Sequence, residues 1–211
     1  MPQIYYCDTD ELRGFWQQGM ALVTEKRREK AQRLIKEEDR LASLGTGLLL
    51  KCVLNISSDK DIKYNEHGKP YFEHGKYFSV SHSGNIAVLA VSDDEIGIDI
   101  ERLRKPNERI IRRCFTEAEA EFAEKSNQNF TRIWTEKEAV LKLLGKGLAF
   151  PPKSFSLIPG QEKYDVLDIR FGIFCTEINK MPLSAAFCGS NSAFTITKLS
   201  AAKLLEEPKG L

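Results

Sequence analysis

Two segments of this chain carry residue types that together do phosphate chemistry: Gly97-Ile98-Asp99-Ile100-Glu101 and Trp134-Thr135-Glu136-Lys137-Glu138-Ala139-Val140-Leu141-Lys142. On a strand, Asp99 and Glu101 would share one face, and Ile98 and Ile100 mark the other as buried. On a helix, Glu138 and Lys142 share a face, and Glu138 falls on a stripe with Trp134 and Leu141 that is otherwise apolar. A carboxylate on such a stripe needs a partner. Three converging acids and a lysine would suit a hard divalent cation such as magnesium and the oxygens of a phosphorylated substrate. Plainer readings stand beside this one. Asp99 and Glu101 also fit a solvated strand edge, and Glu138 fits a capping box with Thr135. With Lys142 it equally fits a helix ion pair of about 0.3–0.5 kcal/mol.

Three upstream signals point the same way without deciding it. Lys26, Lys30 and Arg33 form one stripe on a helix, a clamp for a terminal phosphate if they converge. Glu25, Glu29, Glu37 and Glu38 are interleaved with them, as on a solvated face. Gly68-Lys69-Pro70 is a turn, or a close backbone and lysine approach to a nucleotide. His82, within Ser81-His82-Ser83, is either structural or a phosphate donor beside two hydroxyls.

These residues need elements to hold them. The pattern from Thr24 to Leu54 is helical, and Asn65 to Pro70 is a turn. Tyr77–Ser81 and Ile86–Val91 read as strands around the loop Ser83-Gly84-Asn85, with the strand bearing Asp99 and Glu101 after Asp93-Asp94. Thr116 and Glu119 have capping-box spacing for a helix to about Glu124, and a second helix from about Phe130 ends at Gly145. Phe155–Ile158, Val166–Phe174, Leu183–Cys188 and Ala193–Leu199 read as strands, the last two bracketing Gly189-Ser190-Asn191. Helices followed by a hairpin occur in both halves. The expectation is an α+β fold of two similar lobes, 1–101 and 102–211, each with helices on a small antiparallel sheet. The lobes would pack as one body about a pseudo-twofold, with the site between them.

The 211 residues suffice for a real core, and a net charge of +1 argues against a dedicated nucleic-acid surface. Cys7, Cys52, Cys114, Cys175 and Cys188 are odd in number, scattered and without a CxxC pair, which reads as reduced thiols in a cytoplasmic protein. No secretory leader and no membrane-spanning run is read from the sequence.

In their order and spacing these motifs resemble the 4′-phosphopantetheinyl transferases of the Sfp type. The likeness is carried by Gly97–Glu101 and by Trp134-Thr135-Glu136-Lys137-Glu138-Ala139-x-x-Lys142 with Gly145-Lys146-Gly147-Leu148. Gly68-Lys69-Pro70, Phe78–Ser83 and Glu25–Lys30 also stand where that family has them, so the resemblance runs from about Thr24 to Phe155. The chain's length looks like the duplicated, monomeric branch. The resemblance implies transfer of 4′-phosphopantetheine from coenzyme A to a serine of an apo acyl, peptidyl or aryl carrier protein, releasing adenosine 3′,5′-bisphosphate. It implies magnesium, or manganese in its place, on Asp99, Glu101 and Glu138, with Glu138 and Lys142 catalytic. Lys26, Lys30 and Arg33 would meet the 3′-phosphate, with His82 also reaching a phosphate. Gly68, Lys69 and Pro70 would lie at the adenine end, and Ser81, Lys137 and Lys142 along the diphosphate. The chain departs from the family near Ala42, where only Arg40 stands for an expected arginine and Ser43 takes the place of a threonine. Lys146, Gly147, Leu148, Phe150, Phe115 and Phe122 are candidates for carrier docking. The competing readings are a metal-dependent phosphohydrolase using the same acids, which activates water, and a non-catalytic carrier-binding module.

Overall fold

The run Ile86-Ala87-Val88-Leu89-Ala90-Val91 has no polar face, so both of its sides must be covered. A computed structural model, which describes all residues except 74, 158–160, 162, 191–192, 207–211 and the side chain of Leu148, shows what covers them. β1 (Gln3–Asp8), β4 (Tyr77–Ser83), β5 (Ile86–Ser92) and β10 (Thr195–Lys198) form a first sheet in the order β10-β1-β5-β4. β6 (Ile96–Ile100), β7 (Tyr164–Val166), β8 (Ile169–Ile178) and β9 (Met181–Phe187) form a second, ordered β6-β9-β8-β7. β2 (Lys63–Tyr64) and β3 (Pro70–Tyr71) make a separate two-stranded ribbon. Pairing is antiparallel except for β10, which runs parallel to β1.

Ala87, Leu89 and Val91 pack under α3 (Glu37–Leu54) with Leu44, Leu48 and Leu49. Ile86, Val88 and Ala90 meet Ile96, Ile98, Ile100, Leu183, Ala185 and Phe187 of the second sheet. The far face of that sheet is covered by α6 (Asn127–Leu144), through Ala139, Val140 and Leu143 against Phe171 and Ala186. The layers therefore run helix, sheet, sheet, helix, an α+β architecture in which each sheet carries one helix of 18 residues. Each sheet also borrows from the other half of the sequence. β6 lies in the second sheet, while β10 and α7 (Ala201–Leu205) return to the first, where Leu204 and Leu205 join its core.

Local chemistry sets most boundaries. The Thr24 hydroxyl accepts from Arg27 N to start α2 (Glu25–Arg33), and Ser126 Oγ accepts from Asn129 N to start α6. Gly145 closes α6 at φ 66°, its N–H donating to Leu141 O. The capping box of Thr116 and Glu119 is present at α5 (Glu117–Ala123). The helical stretch expected over Thr24–Leu54 is two helices, because Leu34 and Lys36 are extended and leave Ile35 97% exposed. Two axes let α2 bury only Ala31 while α3 buries most of its length. Phe155 to Leu157 is not a strand but follows a 3₁₀ turn at Pro152–Ser154, and Ile158 lies outside the described residues. Val166 to Phe174 is broken by Leu167 and Asp168, both at positive φ, which turn β7 into β8. β1, α1 (Trp16–Leu22), α4 (Glu108–Cys114) and α7 were not anticipated. None of the five cysteines is paired, and among the described residues no helix is long and apolar enough to cross a membrane.

Candidate active site

The site forms where the edge of each sheet meets α6. Ile96, Ile98 and Ile100 point into the core between the sheets, so Gly97 and Asp99 turn toward α6, with Glu101 one step past the strand end. Gly97 is required by that approach. A Cβ there would overlap the Ala139 carbonyl oxygen and the Leu143 amide nitrogen. Asp99 is only 6% exposed. Its Oδ1 accepts from Ser81 Oγ at 2.7 Å and from Lys142 Nζ at 2.7 Å. Lys142 also donates to Ile98 O at 2.9 Å, so it spans from α6 to β6. Glu101 Oε2 accepts from Ser83 Oγ at 2.8 Å and from Arg104 Nη2 at 2.9 Å.

Glu138 faces this group from α6, half-buried, with no hydrogen bond or ion pair among the described residues. Burial, then the Asp99 charge, pushes its carboxyl up to about 6; Lys142 opposes the rise and Glu101 adds to it. The simpler roles for Glu138 do not hold. Lys142 pairs with Asp99 rather than with Glu138. Thr135 sits inside α6, its hydroxyl hydrogen-bonded to Arg132 O and to the Ser184 hydroxyl, and caps nothing.

The donor chemistry fits a hard cation. Among the described residues Asp99 Oδ2 is buried without a hydrogen-bond partner, and Glu138 is repelled by two neighbouring acids. A divalent ion would answer both. As the side chains stand, no group of three or more His, Cys, Asp or Glu among the described residues is gathered to hold a metal. Asp99 Oδ1 is turned to Lys142, and Arg104 holds Glu101.

Beside the acids opens a cavity of about 450 Å³, lined by Lys26, Arg27 and Lys30 of α2, Thr46 and Gly47 of α3, Tyr64, Gly68, Pro70, Ser81, His82 and Lys142. No carboxylate among the described residues forms an ion pair with Arg27 or Lys30. Burial and then the Arg27 charge push the Lys30 ammonium down. His82 is pushed down by desolvation, then by Lys30, Lys142 and Arg27. Four cationic or protonatable groups thus crowd one concave surface, and among the described residues only Lys142 has a carboxylate paired to it, Asp99. An anionic ligand would supply the counter-charge that Arg27 and Lys30 lack. Arg27 went unread in the sequence, although it lies one helical turn before the buried Ala31 and its stem packs on Gly47. A second, more apolar cavity of about 240 Å³ adjoins the acids between Phe78, Val80, Leu141, Glu138 and Lys142.

Several expected residues stand elsewhere. Arg33 is 80% exposed and pairs with Glu29. Ser43 is buried without a hydrogen-bond partner among the described residues, and Thr46, one turn on, is the hydroxyl at the cavity. Arg40 stacks over Trp16 at 4.6 Å. Lys69 Nζ is used by Glu95 at 2.5 Å and Leu143 O at 2.9 Å, anchoring the Gly68 turn to the end of α6. Lys137 is fully buried, facing away from the cavity. Its ammonium meets Glu119 at 2.9 Å, Pro152 O at 2.8 Å and Phe155 O at 2.5 Å. Adjacent helix positions point about 100° apart, so Lys137 and Glu138 cannot serve one site face. Phe115 is core rather than docking surface, Phe122 packs on the same cluster, and Phe150 stacks on Phe155. Lys146 and Gly147 are exposed.

A family model described as the 4′-phosphopantetheinyl transferase superfamily matches residues 95–184, which contain β6 and α6. The chain is 32% identical over 150 residues to 4′-phosphopantetheinyl transferase Sfp of Bacillus subtilis (strain 168), covering 65% of this chain and 67% of that protein. It is 33% identical over 143 residues to 4′-phosphopantetheinyl transferase gsp of Aneurinibacillus migulanus, covering 63% and 60%. To 4′-phosphopantetheinyl transferase AcpT of Salmonella typhi it is 40% identical over 100 residues, covering 43% and 52%. The chain thus matches about two thirds of the length of these relatives, or less.

Proposed function

Since the chain belongs to the 4′-phosphopantetheinyl transferase superfamily, we propose that it transfers 4′-phosphopantetheine from coenzyme A to a serine hydroxyl of an apo carrier protein, acting as a cytoplasmic monomer. The observation that carries this reading is the cationic cavity of Arg27, Lys30, His82 and Lys142, in which Arg27 and Lys30 have no ion pair among the described residues, set against Asp99 and Glu138 through the Lys142–Asp99 pair. Phosphates bind on one side, and acids able to neutralise or accept a proton stand on the other.

In this reading Lys26, Arg27 and Lys30 hold the terminal 3′-phosphate, and His82, Ser81 and Lys142 hold the diphosphate. Gly68 and Pro70 border the nucleoside. Asp99, Glu101 and Glu138 would hold magnesium or manganese, which when bound offsets charge on the diphosphate. Lys142, drawn from Asp99 toward the substrate, stabilises the departing phosphate. Glu138 is the acid nearest to accepting the serine proton, directly or through a water, since its burial keeps it a stronger base than an exposed carboxylate. The adjoining apolar cavity leaves room for the pantetheine arm.

The test is mass spectrometry of a panel of apo carrier proteins incubated with this protein, coenzyme A and magnesium. A phosphopantetheine mass gain that requires both additions is expected. Phosphate release with no carrier labelling would replace the reading with a phosphohydrolase, and carrier binding with neither would replace it with a non-catalytic module. Running the assay with 3′-dephospho-coenzyme A adds a second expectation. Replacing Lys26 and Lys30 by alanine should raise KM for coenzyme A about tenfold, with little change for the dephospho form, since charge-assisted phosphate contacts contribute about 1.5 kcal/mol or more. Equal effects on both donors would remove the 3′-phosphate from these lysines.

A further inference from the structure

β4 and β6 lie side by side at the junction of the two sheets, yet no main-chain ladder pairs them. Serine hydroxyls take its place. Ser79 Oγ accepts from Ile98 N at 3.1 Å, Ser81 Oγ donates to Asp99 Oδ1 at 2.7 Å, and Ser83 Oγ donates to Glu101 Oε2 at 2.8 Å. The three serines stand at alternate positions of β4, so one face of the strand carries the whole seam. Contact numbers rise together along both strands, so they run in the same direction.

Ser83 differs from the other two. Its oxygen also accepts from Arg102 N at 3.1 Å. With that lone pair occupied, the hydroxyl hydrogen is left for Glu101, so the rotor is fixed. The amide that fixes it is itself anchored, because the Arg102 side chain folds back over Gly84 and pairs with Glu38 at the start of α3. Glu101 is contested from outside by Arg104, whose guanidinium reaches it at 2.8 Å while remaining 47% exposed. Without the Ser83 hydroxyl, the carboxylate would be free to follow Arg104 away from Asp99 and Glu138.

We propose that Ser83 is a positioning residue, which holds the Glu101 carboxylate toward Asp99 and Glu138 so that the three can share one divalent cation. The assignment rests on the metal reading given above but is separable from it by experiment. Loss of a partner to a metal-bound carboxylate typically weakens metal binding by about 10–100-fold.

The experiment titrates Mn2+ alone into the protein, followed by the loss of free-ion EPR signal, for wild type, Ser83→Thr, Ser83→Val and Ser79→Ala. Threonine keeps the hydroxyl and valine matches its shape without it, and both are favoured in strands, so the pair stays informative even if smaller replacements do not fold. The expected result is Mn2+ binding at least about tenfold weaker in Ser83→Val and within about twofold of wild type in Ser83→Thr. Ser79→Ala, which touches β6 only through a main-chain amide, should lower Tm and leave Mn2+ binding unchanged. Wild-type affinity in Ser83→Val, failure of threonine to restore binding, or an equal loss in Ser79→Ala would each overturn the assignment to Ser83. Absence of Mn2+ binding in the wild type, with carrier labelling intact, would overturn the metal reading and this assignment with it.

Discussion

At the scale of single residues, Glu138 and Lys137 show opposite solutions to burial. Lys137 meets two main-chain carbonyls and a carboxylate that itself accepts from Thr116 N and Leu157 N, so its charge has close partners on every side the contacts describe. Glu138 has like charges nearby, only partly offset by Lys142, and no hydrogen-bond donor among the described residues. Its folded-state pKa of about 6 lies above the ordinary value of 4.5, so the folded state binds the extra proton between those values. Stability contributed by this group is therefore present below pH 4.5 and lost as pH rises through about 6. The cost above that window is on the order of 1–2 kcal/mol. Glu138→Gln should raise Tm by a few degrees at pH 7–8, with the gain vanishing near pH 4, while carrier labelling is lost. Added magnesium should raise Tm in the wild type and not in Glu138→Gln. A variant with lower Tm at pH 8, measured by calorimetry without metal, would show that the carboxylate is compensated after all. The neighbouring letters of the sequence could not separate these two residues. Both are charged positions on a helix rich in apolar residues, and only the placement of α5 and the 152–157 turn decides which is sealed.

At the scale of elements, the site depends on how closely α6 sits on β6, and Gly97 sets that distance. Gly97→Ala would place a methyl group against main-chain atoms of Ala139 and Leu143, which cannot rotate away as a side chain could. We expect a loss of about 3 kcal/mol or more in denaturant unfolding, and a loss of carrier labelling that persists at temperatures where the variant is still folded. Unchanged unfolding midpoints would mean that the helix and strand separate freely. The elements bearing Asp99, Glu101, Glu138 and Lys142 were legible because isoleucine alternation and a capped helix are local signals. The break at Leu34–Lys36 was not. No proline or glycine marks it, and it arises because α2 and α3 bury different faces against different neighbours. Arg33 stands apart from the stripe Lys26–Lys30–Arg33 for a related reason: on the last turn of α2 it pairs with Glu29 in solvent, whereas the cavity side of that helix is Lys26, Arg27 and Lys30.

At the scale of the whole molecule, the α+β class and the first hairpin, β4 with β5, followed from patterning, but the traffic between sheets did not: the strands expected as a second hairpin around Gly189 part company, β9 pairing with β6 and β8 and β10 with β1. β1 packs on apolar residues from both faces, Ile4 and Tyr6 on one and Tyr5 and Cys7 on the other, and nothing in its residues names β10 as a partner 192 positions on (Gln3 with Thr195). The buried ends of α7 likewise read as a short tail until the core they complete is seen. That return of the chain has a consequence for biosynthesis. The ribosome delivers residues at about 5–20 per second, N-terminal first. β1, β4 and β5 therefore emerge long before β10 and α7, which must wait for positions 195–205. Throughout that interval the outer edge of β1 offers unpaired main-chain groups, and the pocket for Leu204 and Leu205 stands open. The nascent chain is then most exposed to pairing with a neighbour on the same message, and to capture by chaperones that bind extended apolar segments. Of the strands described, the one made last is the one that closes the first sheet.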